Sequence, residues 1–255
     1  LSNHERDDPA RTQFEDTLKQ LINLYNHGQF EAVIEQAQSL TKQYPQAFVI
    51  WNILGAVYKG LGHIEKASKA FKKVIELSPN DANGYNNLGI ILKDQDKLDE
   101  ALQAYKKALS IKPDYAEVYN NMGNAFKYQS KLENAVEAYN KAISLKPDYA
   151  EAYYNMGTTF KNQEKIDEAI EAYKQALSIK PDYVDACCNL GVAFAKQNRL
   201  DEAIKAYDKA ISINPNYAEV YNNMGVVFHN QIKLNEAIHA YKIAILLEPT
   251  NAVYW

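Results

Sequence analysis

Six glycines recur at a single spacing. Gly55, Gly89, Gly123, Gly157, Gly191 and Gly225 each lie 34 residues apart. Pro79, Pro113, Pro147, Pro181, Pro215 and Pro249 keep the same step, and Pro45 extends it backwards. So do Ala67, Ala101, Ala135, Ala169, Ala203 and Ala237, and the aromatic series Phe71, Tyr105, Tyr139, Tyr173, Tyr207 and Tyr241. Four residue types held in phase point to one architecture, a short unit that cannot bury its apolar face alone and stacks on copies of itself. With the glycine as position 8, the repeats are 14–47, 48–81, 82–115, 116–149, 150–183, 184–217 and 218–251. A polar N-terminal segment, 1–13, precedes them, and 252–255 starts a truncated eighth repeat. Repeat 14–47 is divergent: Thr17, Leu21 and Val33 replace the aromatic, Gly and Ala, while Gly28, Phe30 and Pro45 stay in phase.

Each repeat reads as two helices. In 82–115, Tyr85, Leu88 and Leu92 recur at helical spacing, and Leu98, Ala101, Leu102, Tyr105, Ala108 and Leu109 do so after a polar break at 94–97. Asp96, Ser130 and Asn198 are placed to cap the second helix, Ser130 with Glu133 as a capping box. Glu164 and Ile232 occupy the same place as poorer caps. The proline ends the second helix, and Asp114, Asp148 and Asp182 are placed to cap the next first helix. Gly and Ala at positions 8 and 20 imply close helix approach. On helix propensity alone, Gly123→Ala is expected to be neutral or favourable.

These residues resemble the tetratricopeptide repeat (TPR), whose pattern is W-x2-L-G-x2-Y, then A-x3-F, then P. The copies here are WNILGAVY at 51–58, YNNLGIIL at 85–92, YNNMGNAF at 119–126, YYNMGTTF at 153–160, CCNLGVAF at 187–194 and YNNMGVVF at 221–228. The resemblance covers nearly the whole chain and extends to the regular TPR arrays of bacterial proteins and of O-GlcNAc transferase-like enzymes. It implies an all-α, right-handed TPR superhelix (an α-solenoid) of about seven helix-turn-helix repeats with a concave inner surface.

Composition narrows the function. With 28 Lys plus Arg against 32 Asp plus Glu, the net charge is −4, which argues against nucleic-acid binding, including RNA binding by helical repeats. No run of about 18 apolar residues marks a membrane span. The two cysteines, Cys187 and Cys188, are adjacent and cannot staple a fold, which suits a reducing, cytoplasmic location. Cys187 stands at a packing position; Cys188 is expected to face the groove as a reachable thiol. There is no i, i+4 histidine pair, CxxC, HExxH, phosphate loop or recognisable catalytic set, so no metal, no cofactor and no enzymatic activity are expected of this segment.

The candidate site lies on the first helices. Position 6 is Asn87, Asn121, Asn155, Asn189 and Asn223, and position 5 adds Asn52, Asn86, Asn120 and Asn222. An amide both donates and accepts, so a row of them suits the backbone of an extended peptide. The TPR arm of O-GlcNAc transferases carries a similar ladder, which the resemblance extends to these residues. The competing reading turns the amides inward to satisfy neighbouring helices. Glu117, Glu151, Asp185 and Glu219 at position 2, and Lys59, Lys93, Lys127 and Lys161 at position 12, form acidic and basic margins about 15 Å apart by helix rise. The helix dipole alone also favours that arrangement. Tyr128 and Tyr154 are further groove candidates. TPRs that clamp a chaperone's C-terminal carboxylate use Lys and Arg at positions 2, 5 and 6. Repeats two to seven lack these, which argues against that ligand.

The chain therefore reads as a non-catalytic scaffold binding a protein or extended peptide. The alternative is the substrate-recruiting arm of a longer bacterial glycosyltransferase or sulfotransferase, to which the start at Leu1 and abrupt end at Trp255 add weight. A bare apolar face of Tyr241, Ile245 and Trp255 is expected to drive end-to-end self-association.

Overall fold

The computed structural model describes residues 9–251. They form fourteen helices: α1 (Pro9–Asn26), α2 (Phe30–Gln43), α3 (Phe48–Gly60), α4 (Ile64–Leu77), α5 (Ala82–Asp94), α6 (Leu98–Ile111), α7 (Ala116–Tyr128), α8 (Leu132–Leu145), α9 (Ala150–Asn162), α10 (Ile166–Ile179), α11 (Val184–Lys196), α12 (Leu200–Ile213), α13 (Ala218–Asn230) and α14 (Leu234–Leu247). The fold is an all-α helical-repeat solenoid. Odd helices are the first of each pair and even helices the second. From α3 onward both recur at the 34-residue step; α1 begins earlier, at Pro9.

The chain divides into two compact units, Leu1–Val118 and Tyr119–Trp255, with the boundary inside α7. In the first unit α3 pairs with α4 and α5 with α6, while α2 packs on α3 and α4 on α5. In the second, α9 pairs with α10, α11 with α12 and α13 with α14, while α8, α10 and α12 pack on the first helix of the following pair.

Each pair closes on the glycine. A Cβ on Gly123 would lie 2.5 Å from Cε1 of Tyr139 and 2.7 Å from its Cδ1. Gly55 meets Phe71 at 2.5 Å, Gly89 meets Tyr105 at 2.5 Å and Gly157 meets Tyr173 at 2.7 Å. Tyr139 is buried, and its hydroxyl donates to Asn124 Oδ1 at 2.8 Å, so its ring has nowhere to go. This reverses the propensity-based expectation. Alanine gains ~1 kcal/mol as a helix former, but overpacking a filled core costs ~1–3 kcal/mol. Gly123→Ala is therefore expected to lower stability by up to about 2 kcal/mol. A raised urea midpoint would contradict the contact.

The turn between paired helices corrects the capping assignment. Asp96, Ser130, Glu164, Asn198 and Ile232 have φ of 60°, 58°, 61°, 59° and 62°, and Gly28 and Gly62 have 70° and 72°. They end the first helix and do not start the second. Lys97 N–H bonds Leu92 C=O at 2.8 Å and Asp96 N–H bonds Lys93 C=O at 2.9 Å, the paired closure that a left-handed residue permits. The residues that begin the second helices are Lys97, Lys131, Lys165, Arg199 and Lys233, and none caps with its side chain. Asp148 and Asp182 also stand one residue short of the cap, which Tyr149 and Tyr183 occupy. Asp81 is a genuine side-chain cap, accepting from Asn83 N–H at 3.0 Å.

Ile232 is the most strained member of this set, because a left-handed conformation costs a Cβ-bearing residue ~1–2 kcal/mol and β-branching adds to the crowding. Asn tolerates that region, and Ile232 is 82% exposed, so no packing is lost. Ile232→Asn should raise stability by ~1 kcal/mol; a lowered melting temperature would show that the isoleucine packs in some way its exposure does not suggest.

Candidate functional site

The first helices of the second unit are joined by their amides. Asn155 Nδ2 donates to Asn120 Oδ1 at 3.1 Å, Asn189 Nδ2 to the Tyr154 hydroxyl at 3.2 Å, and Asn223 Nδ2 to Cys188 Sγ at 3.8 Å. In the first unit Asn87 Nδ2 donates to Asn52 Oδ1 at 3.2 Å. The rule is that position 6 donates to position 5 of the repeat before. Each of these amides thus spends a donor on inter-repeat register, as the inward-turned alternative requires.

The row is not uniform. Asn155 is buried, at 8% exposure, as are Asn120 and Asn86. The Asn155 main-chain carbonyl further accepts from the Thr158 and Thr159 hydroxyls at 2.7 and 2.9 Å. Asn87, Asn121, Asn189, Asn222 and Asn223 are half-buried and keep part of their surface in water. Asn155→Ala removes one partner of a buried amide pair and takes the donor from Asn120 Oδ1, which costs ~1–3 kcal/mol. Asn223→Ala loses only a weak contact to sulfur and is expected to change stability by less than ~0.5 kcal/mol. Equal loss in both, measured by urea denaturation, would refute the distinction.

The charged margins share this double duty. Glu117 and Glu151 are exposed, and Glu151 Oε1 accepts from Asn120 Nδ2 at 3.2 Å. Lys161 Nζ donates to Asn189 Oδ1 at 2.5 Å, and burial lowers its pKa. Lys127 Nζ reaches the Thr158 hydroxyl at 3.5 Å, and Lys93 pairs with Asp94 at 2.7 Å. Tyr128 is 65% exposed. Tyr154 is instead held between the rings of Tyr173 and Tyr183, at 5.9 and 4.9 Å, and burial pushes its pKa up to about 12.

Cys187 is fully buried, as its packing position implies. Cys188 is corrected: at 2% exposure it is part of the core, and burial pushes its thiol up to about 12. The reason is geometric, since position 5 is covered by the position-6 side chain of the next repeat.

Two rows of contacts escaped the reading of the residues. Gln163, Gln197 and Gln231 donate from Nε2 to Glu133, Asp167 and Asp201 of the preceding repeat at 3.3, 2.7 and 3.0 Å, and Gln95 does so to Glu65 at 2.8 Å. Lys112, Lys146 and Lys180 lie over the rings of Tyr115, Tyr149 and Tyr183 at 4.6, 4.9 and 4.9 Å. Both rows recur at the 34-residue step, which was the signal available for them.

The surface also holds open cavities. In the first unit one of about 230 Å³ is lined by Tyr25, Val49, Asn52, Ile53, Ala56 and Asn87. In the second, clefts of about 540 and 550 Å³ have floors of Tyr119, Met122 and Phe126 and of Tyr221, Met224 and Phe228. Among the described residues no group of three or more His, Cys, Asp or Glu is arranged to hold a metal, and no helix is long and apolar enough to cross a membrane.

Helix pairs at a 34-residue step, locked glycine to aromatic and linked through their first helices, define a helical-repeat scaffold of the protein-interaction kind. A TPR repeat model matches residues 91–129, 123–164, 159–198 and 193–231, and further tetratricopeptide repeat models match 70–103 and 49–81. The chain belongs to the tetratricopeptide-repeat family. No curated protein matches it. Among solved structures it is similar to the MamA protein, at 29% identity over 68% of this chain and 94% of that one, with a TM-score of 0.60. It is also similar to YrrB, described as a TPR protein with an unusual peptide-binding site, at 25% identity over 74% and 97%, with a TM-score of 0.60. PilF of Pseudomonas aeruginosa shares the fold at 20% identity over 82% and 96%, with a TM-score of 0.72.

Proposed function

We propose that the chain is a non-catalytic scaffold that holds an extended peptide segment of a partner protein on its first-helix face. The observation that carries this reading is the row of half-buried amides at Asn189, Asn222 and Asn223 in the second unit, which also carries the exposed Glu151 and the lysines Lys127 and Lys161 on its first helices. Each amide has four hydrogen-bonding positions. At Asn189 both N–H groups and one acceptor position are engaged, by the Tyr154 hydroxyl, the Asp185 carbonyl and Lys161, which leaves an acceptor for a peptide backbone; at Asn223 the link to Cys188 uses one N–H and leaves donor and acceptor capacity. Two YrrB-like features, the fold and an identity of 25%, lend support from a protein described by its peptide-binding site.

The test is selection of a random peptide library on the full chain, followed by affinity and stability measurements on one variant. Asn223→Ala should leave the urea midpoint in place and weaken selected peptides about three- to tenfold, the value of one net hydrogen bond of ~0.5–1.5 kcal/mol. Glu151→Lys should change which peptides are selected, and that change should fade with salt. Unaltered affinity in both variants would end the groove reading.

The same proposal includes self-association through α14. Ile238 is 52% exposed, whereas Leu102 and Ile170 at the same repeat position are buried. Leu234 and Leu246 are exposed beside it, with Tyr241 and Ile245 half-buried; Trp255 lies outside the described residues. Light scattering should show a concentration-dependent dimer that Ile238→Lys abolishes. A strict monomer at high concentration would refute it.

A further inference from the structure

Three positions break the repeat pattern and meet in one place. Position 2 is Asn83, Glu117, Glu151, Asp185 and Glu219 in the later repeats but Val49 in 48–81. Position 6 is asparagine in those five repeats but Ile53 here. Position 12 is Lys59, Lys93, Lys127 and Lys161 in four successive repeats but Tyr25 in the repeat before them. In the first unit these three side chains line the 230 Å³ cavity together with Ala56 and the hydrogen-bonded pair Asn52–Asn87. Each departure replaces a charged or amide group by an apolar one, or by the ring of a tyrosine.

The wall remains wet in the unbound chain. Tyr25 is 37% exposed, and Val49, Ile53 and Ala56 are only half-buried. Covering them with an apolar group is favourable by the area removed from water. Among the described residues no charged side chain lines the cavity, so an acidic or basic side chain entering it would lose hydration without a partner. Size narrows the occupant further. A cavity of about 150 Å³ takes a benzene-sized group, so this one takes a single branched or aromatic side chain. A helix about 10 Å across does not fit.

We propose that this cavity anchors one uncharged apolar side chain, Leu, Ile, Met or Phe, of a bound extended peptide. Asn52 and Asn87 hydrogen-bond the peptide units on either side of it. One hydrogen bond joins the two amides, and each has capacity for more. The inference rests on the groove reading above and adds its first side-chain preference.

Two measurements on the full chain test it. The first titrates N-acetyl-leucine N-methylamide, and its aspartate and lysine counterparts, into isotopically labelled protein. The leucine probe should shift the resonances of Tyr25, Val49, Ile53 and Ala56, and the charged probes should not. The second selects a random eight-residue library and compares the chosen peptides on the unaltered chain, on Ile53→Asn and on Tyr25→Lys. Both variants carry residues that later repeats accept at those positions, and circular dichroism checks that they fold. Selected peptides should share one apolar position. Affinity should fall tenfold or more when that residue becomes alanine or when the pocket is changed, with little further loss when both are changed. Equal response to leucine and aspartate probes, no response to either, or selected peptides without a shared apolar position would overturn the subsite. If the pocket fails while selected peptides still depend on Asn223, the groove reading survives alone. If the pocket responds to leucine and no extended peptide is selected, the groove reading falls and the pocket stands.

Discussion

Everything in these repeats is positioned by a bare Cα facing an aromatic ring. At Gly55, Gly89, Gly123, Gly157 and Gly225 a single added carbon would overlap the ring at position 24. The ring can enter only because that carbon is missing, and once inside it fixes the separation of the paired helices. The first helix then has one face committed to its own partner and to the second helix of the preceding repeat. Positions 2, 5, 6, 12 and 13 are left to face its neighbours of the same kind, and the polar chemistry collects there. Burial of Tyr105, Tyr139, Tyr173 and Tyr207 makes the lock strong, and it leaves the alanines at positions 20 and 27 to fill what small space remains.

The first-helix face has two demands on the same side chains. Stacked repeats must hold their register, and apolar packing alone is too forgiving to set it. The amide pairs Asn155–Asn120 and Asn87–Asn52 and the glutamine–carboxylate pairs such as Gln197–Asp167 supply directional links at each step. A hydrogen bond from Asn155 is thus both a spacer between repeats and a limit on what that amide offers a ligand. Burial decides the balance: at Asn155 the structural role takes the residue over, and at the half-buried Asn223, whose partner is a sulfur at 3.8 Å, it does not.

The period, the helix pairs and the identity of the core were legible because periodic burial leaves periodic residues. Cys187 fell into place for that reason. The turn was misread because Asp, Ser and Asn suit two jobs, N-capping and the left-handed conformation, and their types alone do not choose between them. Glu164 and Ile232 at the same position held the answer. Neither is a good cap, and both are tolerated only because the paired hydrogen bonds of the turn impose the backbone. Cys188 was misjudged because the groove was taken as a surface of single helices. Its exposure is set by the residue 35 further on, from the next repeat: Asn223 lies over Cys188, as Asn189 lies over the half-buried Tyr154.

In a chain this regular, the repeated residues describe the scaffold, and whatever distinguishes it from other arrays lies where the pattern is broken. Breaks scattered along the surface would be drift. Breaks that converge are harder to dismiss, since selection for folding gives no reason for Val49, Ile53 and Tyr25 to lose polarity around one cavity. The seventh repeat shows a second cluster: Ile243 stands where Lys107, Lys141, Gln175 and Lys209 precede it, and Leu246 where Ser110, Ser144, Ser178 and Ser212 do. Ile243 walls the cleft over Tyr221, Met224 and Phe228, and Leu246 is exposed. These substitutions lie on the second helix α14, and the cleft that Ile243 walls is not lined by Asn222 or Asn223. An array can therefore keep its common amide row on the first helices while individual repeats acquire apolar surface by changing two or three residues, with the glycine–aromatic lock beneath them untouched.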